Sequence, residues 1–231
     1  MFDKADPTSK WDAERLYQEA HEEFTAGNWT HARELLEKLE SRYPFGRYAQ
    51  QAELEIAYTY YKEGETAQVV STVERFLKEN PNHPRADYAL YLRGLANFIE
   101  APALVGPLVR YRISERDPKA LRDAFDSFKE LVTRFPDSRY SPDAIDRMHY
   151  LVEALAQHEV GVASYYFDRD AYVAAIQRSE GVLHDYPNAP ATEEALVLMA
   201  RAYGRLGLAQ QRADTERVLA RSFPGRTLPK D

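Results

Sequence analysis

Four aromatic-proline pairs punctuate the chain, Tyr43-Pro44, Phe135-Pro136, Tyr186-Pro187 and Phe223-Pro224, with Asn80-Pro81 a weaker fifth member. Proline has no N–H and pushes the residue before it out of the α region, so each pair ends the apolar-periodic segment that leads into it. Counted back from these prolines, small residues recur in register. Twelve residues upstream stand Ala32, Ala124 and Ala175; seventeen upstream stand Gly27, Gly64 and Gly207; twenty-four upstream stand Ala20, Ala57, Ala163 and Ala200. Gly94 fills the last of these places in the third unit once a loop of about eighteen residues is allowed for.

A small residue midway along one helix, glycine at a turn, a small residue early in a second helix and a closing proline make up a helix-turn-helix unit of roughly 34 residues. Small side chains let the paired helices approach closely, and glycine supplies the left-handed turn between them. The pattern predicts an all-α fold, a right-handed superhelical solenoid of five tetratricopeptide repeats with an insertion in the third. The units run Ala13–Pro44, Gln50–Pro81, Asp87–Pro136, Gln157–Pro187 and Glu193–Pro224. The chain then divides into a flexible segment at 1–12, repeats one and two with the first helix of repeat three at 13–100, and an inserted loop at 101–118. Residues 119–225 complete repeat three and carry repeats four and five, and 226–231 form a tail. The insertion, "APALVGPLVRYRISERDP", holds three prolines and a glycine that cannot continue a helix, and its nearly apolar run predicts an ordered loop. Ser141-Pro142-Asp143 reads as a helix start, and the periodicity beyond it predicts one long helix through Gly161 to Phe167.

Composition narrows the function. Lys+Arg total 30 against Asp+Glu 37, a net charge of -7, which argues against a surface built to neutralise phosphates; nucleic acid is not an expected partner. The absence of cysteine excludes disulfides, thiolate metal sites and cysteine nucleophiles. The six histidines are scattered without metal-ligand spacing, and no nucleophile elbow, phosphate loop or dinucleotide fingerprint occurs. The sequence therefore predicts no enzyme, no cofactor and no metal site. The first residues lack the apolar core of a signal peptide, and no stretch approaches the apolar length of a membrane span.

A repeat array without chemistry binds, and the first helix of each repeat faces its groove. Groove registers hold Tyr17, His21 and Phe24 in the first repeat, Leu54, Tyr58 and Tyr61 in the second, and Tyr88, Tyr91, Leu95 and Phe98 in the third. Tyr60 and Tyr203 fall on the inter-helix core position. The aromatic set, Tyr17, Phe24, Tyr58, Tyr61, Tyr88, Tyr91 and Phe98, predicts a trough suited to an extended peptide. In repeats four and five the matching slots hold Ser164, Phe167, Val197, Arg201 and Arg205. Arg201 and Arg205, with Asp168 and Arg169 at the turn of repeat four, form the predicted surface for a folded partner, with both guanidiniums of the last repeat free for its carboxylates.

Four stretches, "RYPFGRYAQQAELEIAYTYYKEG", "NPNHPRADYALYLRGLANF", "SERDPKALRDAFDSFKELVTRFPDSRY" and "VASYYFDRDAYVAAIQRSEGVLHDYP", resemble in order and spacing the BamD (ComL) family of outer-membrane assembly lipoproteins. The likeness runs from about Trp11 to Pro224 and includes the insertion ending in Arg116-Asp117-Pro118. It implies a scaffold on the periplasmic face of the outer membrane. Such a scaffold binds the POTRA domains of the barrel-forming subunit, carries accessory lipoproteins of the complex and helps recognise C-terminal signals of unfolded outer-membrane proteins. The family is anchored through a lipidated N-terminal cysteine after a signal peptide; this sequence has neither, so the resemblance implies a form with the anchor removed. The rival readings are a different periplasmic repeat adaptor, for example in envelope constriction, a nucleic-acid-binding helical repeat, and the accessory solenoid of an enzyme. The acidic balance counts against the second, and no catalytic domain follows Pro224 to support the third.

Overall fold

The computed structural model describes residues 6–46, 48–98 and 117–225. Those residues form ten α-helices and no strand: α1 (Ala13–Ala26), α2 (Trp29–Arg42), α3 (Ala49–Glu63), α4 (Thr66–Glu79), α5 (Ala86–Asn97), α6 (Pro118–Arg134), α7 (Ser141–Phe167), α8 (Tyr172–Asp185), α9 (Thr192–Arg205) and α10 (Ala209–Ser222). No helix among them is long and apolar enough to cross a membrane. Most of the inserted loop, the tail and residues 1–5 lie outside the described residues. Two compact units emerge, one of residues 1–99 and 126–144, the other of residues 100–125 and 145–231.

Every helix that the proline stops predict is present, and the repeated small residues do what their register requires. Ala20, Ala32, Ala57, Ala124, Ala163, Ala175 and Ala200 are fully buried. Gly27, Gly64 and Gly207 take left-handed backbone with φ of 81°, 79° and 73°. Asp170, seventeen residues before Pro187, stands in the same place, and it is the one described non-glycine residue with positive φ, at 59°. Asp tolerates this conformation better than other side chains because its short polar group bonds locally; here its carboxylate accepts the Tyr172 hydroxyl. Gly94 serves a different need. A Cβ at this position would sit 2.5 Å from the Phe128 ring, so the ring from the second half of α6 lies directly on the bare backbone of α5.

In the first unit, Leu16 and Ala20 of α1 pack with Leu35, Leu36 and Leu39 of α2 and with Ala52 and Ile56 of α3. A second cluster joins Leu54 and Ala57 to Val69, Val73 and Phe76 of α4 and to Ala89 and Leu92 of α5. Each large side chain so buried contributes roughly 1.5–3 kcal/mol. Arg75 of α4 ties three helices, donating to Glu53 of α3 at 2.8 Å and to Glu40 of α2 at 2.8 Å. Tyr60 packs at the margin of both clusters and lies under the Arg33 guanidinium at 4.5 Å. Residues 6–12, ahead of α1, form a hydrogen-bonded strap: Arg42 donates to Asp6 and to the Thr8 carbonyl, and the Tyr43 hydroxyl donates to the Trp11 carbonyl.

The helix α7 runs unbroken through Gly161 for 27 residues, and from residue 145 onward it belongs to the second unit. Its later turns, through Ala156, Val160, Ala163 and Phe167, pack on Ala175 and Ile176 of α8 and on Ala195, Leu198 and Ala202 of α9, with Tyr203 at the edge. Leu219 of α10 closes on Leu196 and Val197 of α9.

Candidate functional site

Within the first unit, α1, α3 and α5 present their side chains to two adjoining cavities of about 540 and 560 Å³. The first has Phe24 from α1, Leu54 and Tyr58 from α3, and Tyr88 from α5, as the groove register predicts. The second has Tyr17 and His21, together with Tyr48 from the entry to α3. Gln51, Glu55 and Arg85 line both, so the two form one trough. Its aromatic wall is continuous: Tyr17 stacks on Tyr48 at 4.7 Å, and Phe24 lies 5.3 Å from Tyr58.

Three residues of the predicted set lie away from the cavity lining. Tyr61 sits 6.0 Å from the Tyr58 ring and packs against the core beneath it. Tyr91 donates its hydroxyl to Asp143 at the start of α7, at 2.7 Å, and stacks on Tyr140 at 4.7 Å. Phe98, the C-cap of α5, meets Phe128 edge-on at 6.1 Å. Helical periodicity assigns a residue to a face; it does not reveal which neighbour fills the space opposite, and these three are absorbed by α6 and α7 or by the core.

The trough also contains groups that the aromatic register misses, and they are its charged ones. Arg85 precedes α5, and Arg139 precedes Tyr140 on the turn into α7. Both follow a helix-stopping proline by three or four residues, Pro81 and Pro136, so the signal was present in the turn and not in the helices. The Arg85 guanidinium forms no hydrogen bond or ion pair among the described residues. Arg139 lies 4.7 Å over the Tyr140 ring and donates to its hydroxyl, leaving other donors unspent. Asp87, by contrast, is committed: it accepts from the Tyr88 amide at 2.7 Å and from the Ser138 hydroxyl at 2.6 Å. Burial pushes the Tyr88 phenol well above the usual range. Burial and the Glu55 carboxylate do the same to Tyr17, whose hydroxyl donates to Glu55 Oε1 at 2.8 Å.

The predicted C-terminal set lies in the second unit and divides. Arg169 lies 3.5 Å over the Tyr165 ring and donates to the Tyr165 carbonyl; Asp168, Arg169 and Arg205 are exposed. Arg201 is not the free donor that the sequence suggested. Its guanidinium lies over the Phe167 ring at 4.6 Å, because the aromatic residue at the end of α7 occupies the face that α9 turns toward it. The turns carrying Arg169 and Arg205 also expose Tyr165, Val173, Leu206 and Leu208.

No group of three or more metal-ligating side chains gathers among the described residues. An extended trough of aromatic rings with unspent guanidiniums is equipped to bind a chain segment. The chain matches the YfiO family, described as outer membrane lipoprotein, over residues 9–219. It is 46% identical over 217 residues to the outer membrane protein assembly factor BamD of Neisseria meningitidis serogroup A, covering 94% of this chain and 81% of that one. The same factor of Neisseria gonorrhoeae is also 46% identical at the same coverage. That of Vibrio cholerae is 37% identical over 205 residues, 89% of this chain and 85% of that one. The chain belongs to the BamD family. Three of the four stretches in which it resembles BamD proteins build the trough: one supplies Gln51, Leu54, Glu55 and Tyr58, the next Arg85 and Tyr88, the third Arg139 and Tyr140.

Proposed function

We propose that this chain is a non-enzymatic scaffold of outer-membrane β-barrel assembly, working as five tetratricopeptide repeats with an insertion in the third. In its full-length form it is lipid-anchored at the periplasmic face of the outer membrane. Membership of the BamD family, whose relatives are named outer membrane protein assembly factors, supports the setting. The trough of the first unit takes the extended, aromatic C-terminal segment of an unfolded outer-membrane protein. The single observation carrying this reading is the pairing of an aromatic wall, Phe24, Tyr58, Tyr88 and Tyr140, with the uncommitted guanidinium of Arg85. Rings recruit aromatic side chains of the segment, and guanidiniums suit a terminal carboxylate. The second unit docks the POTRA domains through Asp168, Arg169 and Arg205, whose turns add exposed Tyr165, Val173, Leu206 and Leu208 as apolar anchors. Accessory lipoproteins of the complex complete the partners.

The test is fluorescence anisotropy with a labelled peptide ending in an aromatic residue and a free carboxylate, beside its C-terminally amidated twin. Tyr58→Ala removes roughly 1–3 kcal/mol of binding. Amidation of the peptide and Arg85→Ala each weaken binding, and the two losses are not additive because they delete the same contact. Equal affinity for both peptides, unchanged by Arg85→Ala and Tyr58→Ala in folded protein, rejects the trough as the peptide site.

A further inference from the structure

Glu55 is a carboxylate where the fold has little reason to keep one. It stands in the middle of α3, is 8% exposed, and lines both cavities of the trough. Its Oε1 accepts two hydrogen bonds, from the Tyr17 hydroxyl at 2.8 Å and the Gln51 amide at 2.7 Å. Its Oε2 is buried and has no hydrogen-bond partner among the described residues. A carboxylate offers about four lone-pair sites, and leaving one oxygen buried and bare forfeits hydration without replacement. Glu53, two residues earlier and also buried, is the internal control: it has the Arg75 guanidinium at 2.8 Å. Arg85 lines the same cavities as Glu55, yet no ion pair joins them.

We infer that Glu55 is a specificity-determining acceptor of the trough, taking the ammonium or guanidinium of a basic side chain in the bound segment. The inference rests on the reading of the trough as a peptide site and names a feature of the peptide. Tyr17 and Gln51 hold one oxygen, which fixes the plane of the carboxyl group and leaves the second oxygen as the acceptor available to a donor that enters the cavities Glu55 lines. A cation is favoured there because a charge-assisted bond is about twice as strong as a neutral one and gains further in a partly desolvated site. With Glu55 at one place in the trough and Arg85 at another, the site carries both signs of charge. A segment with a basic side chain upstream of its terminal carboxylate satisfies both, whereas a purely aromatic segment leaves Glu55 bare.

The experiment measures two peptides that end in an aromatic residue and a free carboxylate and differ only in lysine or norleucine at one internal position, scanned over the four residues before the terminus. Each is titrated by anisotropy against the wild-type chain and the Glu55→Gln variant, which keeps shape and removes charge. At one position the wild type prefers lysine by about tenfold, the size of one charge-assisted hydrogen bond. Glu55→Gln abolishes that preference, read as the ratio of the two affinities in the same variant, and a far-UV circular dichroism spectrum that matches the wild type shows that the variant is folded. Equal binding of lysine and norleucine at every position overturns the inference and leaves the peptide site standing. A loss on Glu55→Gln shared equally by both peptides would mean that a backbone N–H fills the place, and overturns it too. Failure of the wild type to bind any of the peptides rejects the peptide site, and the inference with it.

Discussion

At the scale of single residues, the most telling position is Asp170. Three helix pairs meet the left-handed turn with glycine, at positions 27, 64 and 207, and the pair of α7 and α8 meets it with aspartate, at the same distance from its proline. A Cβ in this conformation costs roughly 1–2 kcal/mol, which aspartate offsets in part through its local hydrogen bond to Tyr172. Asp170→Ala keeps the Cβ and loses the bond, whereas Asp170→Gly removes both. Urea denaturation therefore finds the alanine variant less stable than the glycine variant by about 1 kcal/mol. Equal stability of the two would mean that the turn relaxes, and that the backbone at 170 is not held by the repeat.

At the scale of helices, the decisive contact is the crossing of α5 with the second half of α6. Gly94 lets the Phe128 ring lie where a methyl group would be 2.5 Å away, and Arg93 beside it donates to Ser127 at 3.0 Å and Glu130 at 2.7 Å. Helical backbone and a rigid ring leave little to shift, so Gly94→Ala overpacks the crossing and costs roughly 1–3 kcal/mol despite the better helix propensity of alanine. Phe128→Leu in the same chain recovers part of the loss, and a double-mutant cycle by chemical denaturation reads the coupling. Additive losses would show that the crossing opens instead. This contact also marks how far the sequence could be read. Gly94 could be placed in register across a long insertion because small-residue spacing reports helix contact directly. Tyr91 and Phe98, assigned to the groove by the same periodicity, were claimed by α6 and α7. Their fate depends on which helix packs alongside, and spacing within one helix carries no record of that. Arg85, Arg139 and Glu55 were missed for a related reason: two stand on turns, where periodicity is silent, and a glutamate inside a helix ordinarily marks a solvated face.

At the scale of the whole molecule, the expected contrast between an aromatic N-terminal half and a charged C-terminal one rests on residue type at groove registers alone, and the structure blurs it: the trough also has Glu55, Arg85 and Arg139, and the C-terminal surface exposes Tyr165, Val173, Leu206 and Leu208. The two ends of the array differ in another way that only structure exposes. Stability in a repeat array comes from neighbours, so a terminal helix with few buried side chains opens first. In α10 only Thr215 and Leu219 are buried, against eight residues of α9. In α1 the count is as low, Leu16 and Ala20, but the strap ahead of it is fastened. Asp6 accepts from the Thr8 amide at 3.0 Å and hydroxyl at 2.9 Å, and pairs with Lys38 and Arg42. Those bonds, the Thr8 amide first, hold the Asp6 carboxyl down to about 2. A depressed carboxyl contributes stability that is complete above its unfolded value of about 4 and lost as pH falls toward 2, so at neutral pH the strap is fully engaged. Native-state hydrogen exchange at pH 7 therefore shows α10 exchanging before α1. Asp6→Ala, which unfastens the strap without touching a helix, raises exchange in α1 toward that of α10 and leaves α7, α8 and α9 unchanged. Protection of α1 that is indifferent to Asp6 would assign its stability to α2 and α3 alone, and the strap would then be a passenger on the first repeat.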